Sequence, residues 1–193
     1  PSEQALYAGL SDFLREQYQQ GSGITRMVVQ TLQMELGSSP RAAAPTLERL
    51  LARDQWIAPV RNGLDHFLAE ALRITDEAKG QALLGLLAAW PEKLLIFTRY
   101  RATQDHLAHL LEQAGERCAV YHGGLRRQEK EAAVRAFEGP CRILLSTEAG
   151  GEGRNLQFAN GLVNYALPWT PMRIEQRIGR VDRRMDPAVE ARI

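Results

Sequence analysis

Hydrophobic positions along the chain follow two rhythms, and the change falls near residue 92. Before it, apolar residues recur three and four apart. Tyr7, Leu10, Leu14 and Tyr18 form one stripe, and Val28 and Leu32 open a second that stops at Gly37-Ser-Ser-Pro40. Leu47, Leu50 and Leu51 mark a third, and Ile57, Val60, Leu64, Phe67, Leu68 and Leu72 a longer fourth. That spacing seats one face of a helix on a core, so residues 1–91 are predicted to be all-helical. Within them, Lys79 to Leu87 is predicted to join the following domain as its leading helix. From residue 92 to 193 the rhythm is different. Short apolar runs at Leu94–Thr98, Ala119–Tyr121, Ile143–Ser146 and Gly161–Tyr165 read as strands. Between them, Leu107, Leu110, Leu111 and Ala114, then Ala133, Val134 and Phe137, mark amphipathic helices. Continuous apolar strands alternating with helices predict an α/β domain, a parallel sheet flanked by helices on both faces.

Composition narrows this only a little. A chain of 193 residues with 45% hydrophobic content has room for one core and an appendage. The formal net charge of +1 provides no global field for nucleic acid, so any such contact must come from local placement. The two cysteines, Cys118 and Cys141, lack metal spacing and are expected to be buried, reduced thiols in a cytoplasmic setting. No signal peptide or membrane-length apolar run appears, and no membrane partner is expected. The start at Pro1 and the charged end at Arg192-Ile193 read as an excised piece of a longer protein.

Chemistry concentrates near the carboxyl end. In Gln176-Arg-Ile-Gly-Arg-Val-Asp-Arg183, Gln176, Arg180 and Arg183 share a helical stripe, while Ile174, Ile178 and Val181 form an anchoring one. Rigid guanidinium forks suit phosphate oxygens, although the octet alone reads equally as a solvated basic face. Upstream, an apolar run ends at Ser146-Thr147 and meets a loop with Gly150, Gly151, Gly153 and Asn155. Glycines at the end of a buried strand let backbone amides approach phosphates, and Asn155 suits a ribose hydroxyl. A plain tight turn capped by Asn155 is the alternative, and the arginine helix that follows makes it the weaker one.

These segments resemble a known family. Ser146–Leu156 looks like motif V, and Gln176–Arg183 like motif VI, of superfamily two helicases and translocases. Leu94–Tyr100 resembles motif IV, and Tyr121-His-Gly-Gly-Leu125 the intervening nucleic-acid-contacting motif. Gly151–Phe158, Asn164-Tyr-Ala-Leu-Pro-Trp169 and Arg173-Ile-Glu-Gln176 are similar to the chromatin-remodeller-like, Swi/Snf-type branch. Within that branch they look like bacterial members related to the polymerase-recycling ATPase. The resemblance covers residues 93–184, about half the chain.

The resemblance implies a RecA-like second motor domain preceded by a helical linker or brace. A helix-turn-helix reader at Gly37–Pro40 is the less favoured alternative, because no recognition face of Arg, Lys, Asn or Gln is present. By motif position, Arg183 is the arginine-finger candidate and Arg180 a second catalytic, phosphate-contacting arginine. Gly151, Gly153, Asn155 and Gln176 would lie at the nucleotide, and Arg177 would brace the domain or contact motif V. Nucleic-acid phosphates would meet Thr98, Arg99, Gly123, Gly124 and Thr147. A catalytic His122 has no Ser or Cys motif beside it, and the turn it opens is read as presenting amides, with a structural turn the alternative.

No Gly-x-x-x-x-Gly-Lys-Ser/Thr loop and no Asp-Glu-x-His strand end occur in the chain. ATP and Mg²⁺ would therefore be held mainly by a preceding RecA-like domain of the same polypeptide, and this chain alone would be inactive as an ATPase. Double-stranded DNA is the expected partner, with a protein–DNA complex as a further target. The sequence departs from the pattern at Lys130, where relatives often carry arginine, and at Ala166, where many carry aspartate. It departs again after Arg183, which is followed by Arg-Met-Asp-Pro and not isoleucine-glycine-glutamine. A non-motor regulatory module that keeps the fold, or a DNA-binding protein built on the helical half, stays open as an alternative.

Overall fold

A computed structural model of the chain describes residues 2–74, 78–147, 158–166, 172, 175–177 and, as backbone, 190–192. The chain divides into two compact units, Pro1–Glu77 and Ala78–Ile193.

The first unit contains four helices: α1 (Ser2–Gln19), α2 (Arg26–Ser38), α3 (Pro40–Leu51) and α4 (Ala58–Arg73). Thr25 caps α2 by accepting from the Val28 N–H at 3.3 Å. Ser39 alone separates α2 from α3; it closes the first helix through its own N–H to the Glu35 carbonyl and caps the second by accepting from Ala42 N–H. Pro40 follows at the first helical position, where a missing N–H costs nothing.

The core of this unit gathers Leu10, Leu14, Leu32, Leu47, Val60 and Leu64 around Trp56. Two expected stripes differ in detail. Leu6, Leu10, Leu14 and Gln17 form the buried face of α1, while Tyr7 and Tyr18 flank it and stay exposed. On α4 the buried positions are Val60, Leu64 and Ala71, whereas Ile57 precedes the helix and Leu72 turns outward, both exposed. An amphipathic tyrosine tolerates that rim position, its ring against the protein and its hydroxyl in water. At Gly63 a Cβ would meet the tip of the Phe13 ring, so glycine there lets that ring lie close against α4.

The second unit opens with α5 (Ala78–Ala89) and then alternates β1 (Leu94–Thr98), α6 (Arg101–Gln113), β2 (Cys118–Tyr121), α7 (Arg127–Glu138), β3 (Ile143–Thr147), β4 (Gly161–Asn164) and β5 (Glu190–Arg192). The five strands are parallel in the order β2-β3-β1-β4-β5. Four of them are the runs expected from the sequence. The fifth was not anticipated, because Glu190-Ala-Arg192 has no apolar run and joins the sheet by backbone pairing with β4.

Both faces of the sheet are covered. Leu94, Ile96, Ile143, Leu145 and Val163 pack with Leu83 and Leu87 of α5 and Leu107 and Leu111 of α6. Leu95, Phe97, Leu144 and Leu162 pack on the other face with Phe137 of α7 and Ala159. This two-sided cover is why the strands read as unbroken apolar runs. Gly115, at φ +77°, supplies the left-handed residue that ends α6, and Glu116 N–H returns to the Leu111 carbonyl at 2.9 Å.

Two cations lock the edge where the strands begin. Lys93 Nζ donates to the carbonyls of Phe137, Gly139 and Cys141, closing the C-terminus of α7. Arg142 forms a two-pronged ion pair with Glu116 and donates to the carbonyls of Leu87, in the last turn of α5, and Trp90, just past its end. Cys118 and Cys141 are free thiols and only half-buried, short of the burial expected: they lie at strand margins and pack against the edges of the two clusters. Burial, and then the neighbouring Cys141, push the Cys118 thiol up.

Candidate functional site

A parallel sheet brings the carboxyl ends of all its strands to one edge, where loops meet helix N-termini. Along that edge lie Thr98 and Arg99 after β1, His122-Gly123-Gly124 after β2, Thr147 at the end of β3, and Asn164-Tyr165-Ala166 at β4. Thr98 and Thr147 are direct register partners, side by side across β1 and β3. Both side chains are buried, and Thr98 Oγ1 has no hydrogen-bond partner among the described residues. Arg99 is half-buried, its guanidinium 5.6 Å from the centre of the Tyr100 ring. Gly123 and Gly124 are exposed.

The turn carrying these glycines is built from α6. Gln104, fully buried, donates from Nε2 to the Tyr121 carbonyl at 3.0 Å and the Leu145 carbonyl at 2.9 Å, joining the ends of β2 and β3. One helical turn earlier, Arg101 Nη1 lies 2.8 Å from His122 Nδ1. His122 is buried, and burial first, then the Arg101 guanidinium, hold its imidazole below the ordinary value. A buried, neutral imidazole engaged this way fits a support for the turn and not a nucleophile's base.

Sequence reasoning missed both Gln104 and Arg101. The only signal was a polar pair on the first turn of an amphipathic helix, which ordinarily reads as solvent-facing.

The start of the arginine segment sits on the opposite face of the same edge. Residues 175–177 are helical, Gln176 is exposed and Arg177 is buried. Arg177 Nη1 donates to Asn164 Oδ1 at 2.5 Å and to the Ala166 carbonyl at 3.1 Å. Its guanidinium stacks 4.7 Å from the centre of the Phe97 ring, so it ties this segment to the ends of β1 and β4. The expected bracing role is what this geometry performs, and at Ala166 the contact uses the backbone carbonyl and needs no side-chain carboxylate. Gly151, Gly153, Asn155, Arg180 and Arg183 lie outside the described residues. Among the described residues no three His, Cys, Asp or Glu side chains cluster to hold a metal ion, and no helix is long and apolar enough to cross a membrane.

Comparison with known proteins agrees with this architecture. Residues 78–185 match the family described as helicase conserved C-terminal domain. The chain is 38% identical over 185 residues to the "Uncharacterized ATP-dependent helicase YqhH" of Bacillus subtilis (strain 168), covering 95% of this chain and 33% of that protein. It is 45% identical over 106 residues to "RNA polymerase-associated protein RapA" of Proteus mirabilis (strain HI4320), covering 52% of this chain and 11% of that protein. The chain thus spans about a third or less of the length of the curated relatives it matches.

Among solved structures, the C-terminal part of the Fun30 ATPase domain superposes over 100% of this chain and 80% of its own length, with a TM-score of 0.64 at 15% identity, which is a likeness of fold. The C-terminal domain of the DEAD-box protein Dbp5 gives a TM-score of 0.53 at 26% identity over 61% of this chain and 71% of its own. On the sheet order, the motifs at its carboxyl edge and the match over residues 78–185, the chain belongs to the helicase conserved C-terminal domain family, as a RecA-like C-terminal domain of superfamily two, Swi/Snf type.

Proposed function

We propose that this chain is the second motor domain of an ATP-dependent translocase that moves on double-stranded DNA without separating its strands. The observation that carries the reading is the sharing of one sheet edge by Thr98, Arg99, the exposed Gly123–Gly124 turn and Thr147, with the Arg177-braced segment leading into the arginine octet. DNA would be held through its phosphates: by Arg99, by the amides of Gly123 and Gly124, and at the strand ends marked by Thr98 and Thr147. Contacts of that kind position a duplex without reading its sequence. Both threonine side chains are buried, so any contact through their hydroxyls would be made at the rim of the strand ends.

ATP would be shared with a preceding RecA-like domain. From this chain, Gly151, Gly153, Asn155 and Gln176 would line the nucleotide. Arg180 and Arg183 would approach its terminal phosphates, Arg183 acting as the finger. A guanidinium in that place neutralises charge that grows as the phosphoryl group transfers, an effect worth orders of magnitude in rate. Magnesium would be held mainly by the preceding domain. Closing the two domains on ATP and reopening them after hydrolysis would shift one phosphate grip past the other, which is translocation. A protein–DNA complex is the natural target for such a motor. The helical unit serves as its linker or brace.

The test is made in the full-length protein. Arg183→Ala is expected to abolish DNA-stimulated ATP turnover while leaving DNA binding largely intact, and Arg183→Lys to fail as well, because a point ammonium lacks the fork. Near-normal turnover in the lysine variant would sink the finger assignment. The 193-residue chain by itself is expected to hydrolyse no ATP, and robust DNA-stimulated hydrolysis by it would falsify the half-site reading.

A further inference from the structure

Several cations surround the Gly123–Gly124 turn, and they differ in what they hold. Arg126 pairs with Glu129 at 2.8 Å, and Arg127 with Glu131 at 3.1 Å. Their charge is spent on neighbours of the same helix. Arg101 is different. Its short contact, 2.8 Å from Nη1 to His122 Nδ1, is to a neutral ring, and its carboxylate neighbour Asp105 is farther away at 3.7 Å. A guanidinium has donors only, so Nδ1 must accept and the ring proton must sit on Nε2. The guanidinium is held by a short contact to the ring and a longer ion pair with Asp105, and the side chain remains 51% exposed.

Its place is fixed by the turn. A Cβ at Gly124 would stand 3.3 Å from His122 Nδ1 and 3.6 Å from Arg101 Nη1, so the guanidinium lies directly against the glycine backbone. Four α6 and β2 groups thus converge there: Arg101 and Gln104 from one helical turn, and Tyr121 and His122 from the strand end. An exposed glycine backbone beside a held, half-exposed guanidinium suits one phosphate bound from two sides.

We propose that Arg101 is a further phosphate contact of the DNA track, and that His122 is the residue that positions it against the Gly123–Gly124 turn. This rests on the reading of the sheet edge as a DNA-binding surface. The pairing explains a buried histidine that plays no catalytic part: its Nδ1 is an aiming device for a neighbouring charge.

The experiment measures binding of the 193-residue chain to a fluorescently labelled mixed-sequence duplex across a salt series. Arg101→Ala is expected to weaken binding about tenfold at low salt. The plot of log K against log salt should also become shallower by about one. A purely structural role would lower stability without moving that slope. Arg101→Lys should recover the slope, since it restores a cation.

His122→Leu, which removes the acceptor, should weaken binding as Arg101→Ala does, while His122→Asn, whose Oδ1 stands near the place of Nδ1, should bind as the unaltered chain. Arg15→Ala on α1 removes the same charge far along the chain and should change nothing. A wild-type slope in Arg101→Ala, or an equal loss in Arg15→Ala, overturns the Arg101 contact while the DNA track stands. Unaltered binding by a folded His122→Leu chain overturns the positioning role. Should the unaltered chain bind no duplex at any salt, the track and this contact fall together.

Discussion

The two edges of the parallel sheet carry the same kinds of residue and use them in opposite ways. Where the strands begin, Lys93 and Arg142 turn inward onto carbonyl oxygens, and Arg142 also meets Glu116. Their hydrogen-bond partners there are backbone carbonyls and one carboxylate, and the cations close helix ends. Where the strands finish, Arg101 leans on a neutral imidazole and stays half exposed beside a glycine turn. Residue type alone does not separate a structural cation from a binding one. Position and exposure do. A cation enclosed by oxygens at a helix end is part of the scaffold, and one left half exposed beside a backbone turn can still meet a ligand. Arg177 belongs to the first kind although it sits at the second edge, since it is buried against Asn164, Ala166 and Phe97.

The contrast can be broken most directly at Arg142. Arg142→Ala removes an ion pair and leaves carbonyls near the end of α5 without their donor. The loss of stability is expected to be about 1.5–3 kcal/mol in a denaturant titration, with no change in DNA affinity of the folded chain. A drop in affinity with stability intact would erase the distinction between the edges.

Thr147→Val sharpens the other side with a smaller effect. It keeps shape and removes only a hydroxyl, one neutral hydrogen bond worth about 0.5–1.5 kcal/mol. If Thr147 contributes to the track, DNA affinity should fall evenly across sequences. Thr147 is buried, so the melting temperature must be measured on the same preparation. If only the melting temperature moves, Thr147 is structural and the track runs over Arg99, Arg101 and the glycine turn.

The smallest effect is expected from pH. His122 is held below its ordinary value of 6.5, chiefly by burial and then by Arg101. A base depressed in the folded state adds stability above its unfolded value and loses it as pH falls through 6.5 towards the folded value. Acidification should therefore lower the protection of amides around the β2–α7 turn relative to their intrinsic exchange, while amides near Lys93 and Arg142 keep theirs. Equal loosening at both edges would argue that His122 does not act locally.

Much of this was readable in the sequence, for physical reasons that differ by element. β1 to β4 announced themselves because burial on both faces demands unbroken apolar runs. β5 did not, since a three-residue strand at the sheet's edge is held by backbone pairing and carries two charged residues. The motif positions fall on one edge, because strand ends in a parallel sheet share it. What the sequence could not convey was burial at that edge. Thr98 and Thr147 look like open donors in a list of residues, yet the strands that carry them enclose their side chains. Gln104 was invisible for the reverse reason: an amide on a helix's first turn looks like a solvent-facing residue until two strand carbonyls are found beneath it.

That buried amide has a mechanical consequence. By gripping the last carbonyls of β2 and β3 at once, Gln104 prevents either strand end from being drawn forward without the other, and ties both to α6. A pull applied at the glycine turn is therefore shared among two strands and a helix before any loop can stretch. The edge resists stretching as one unit of two strands and a helix.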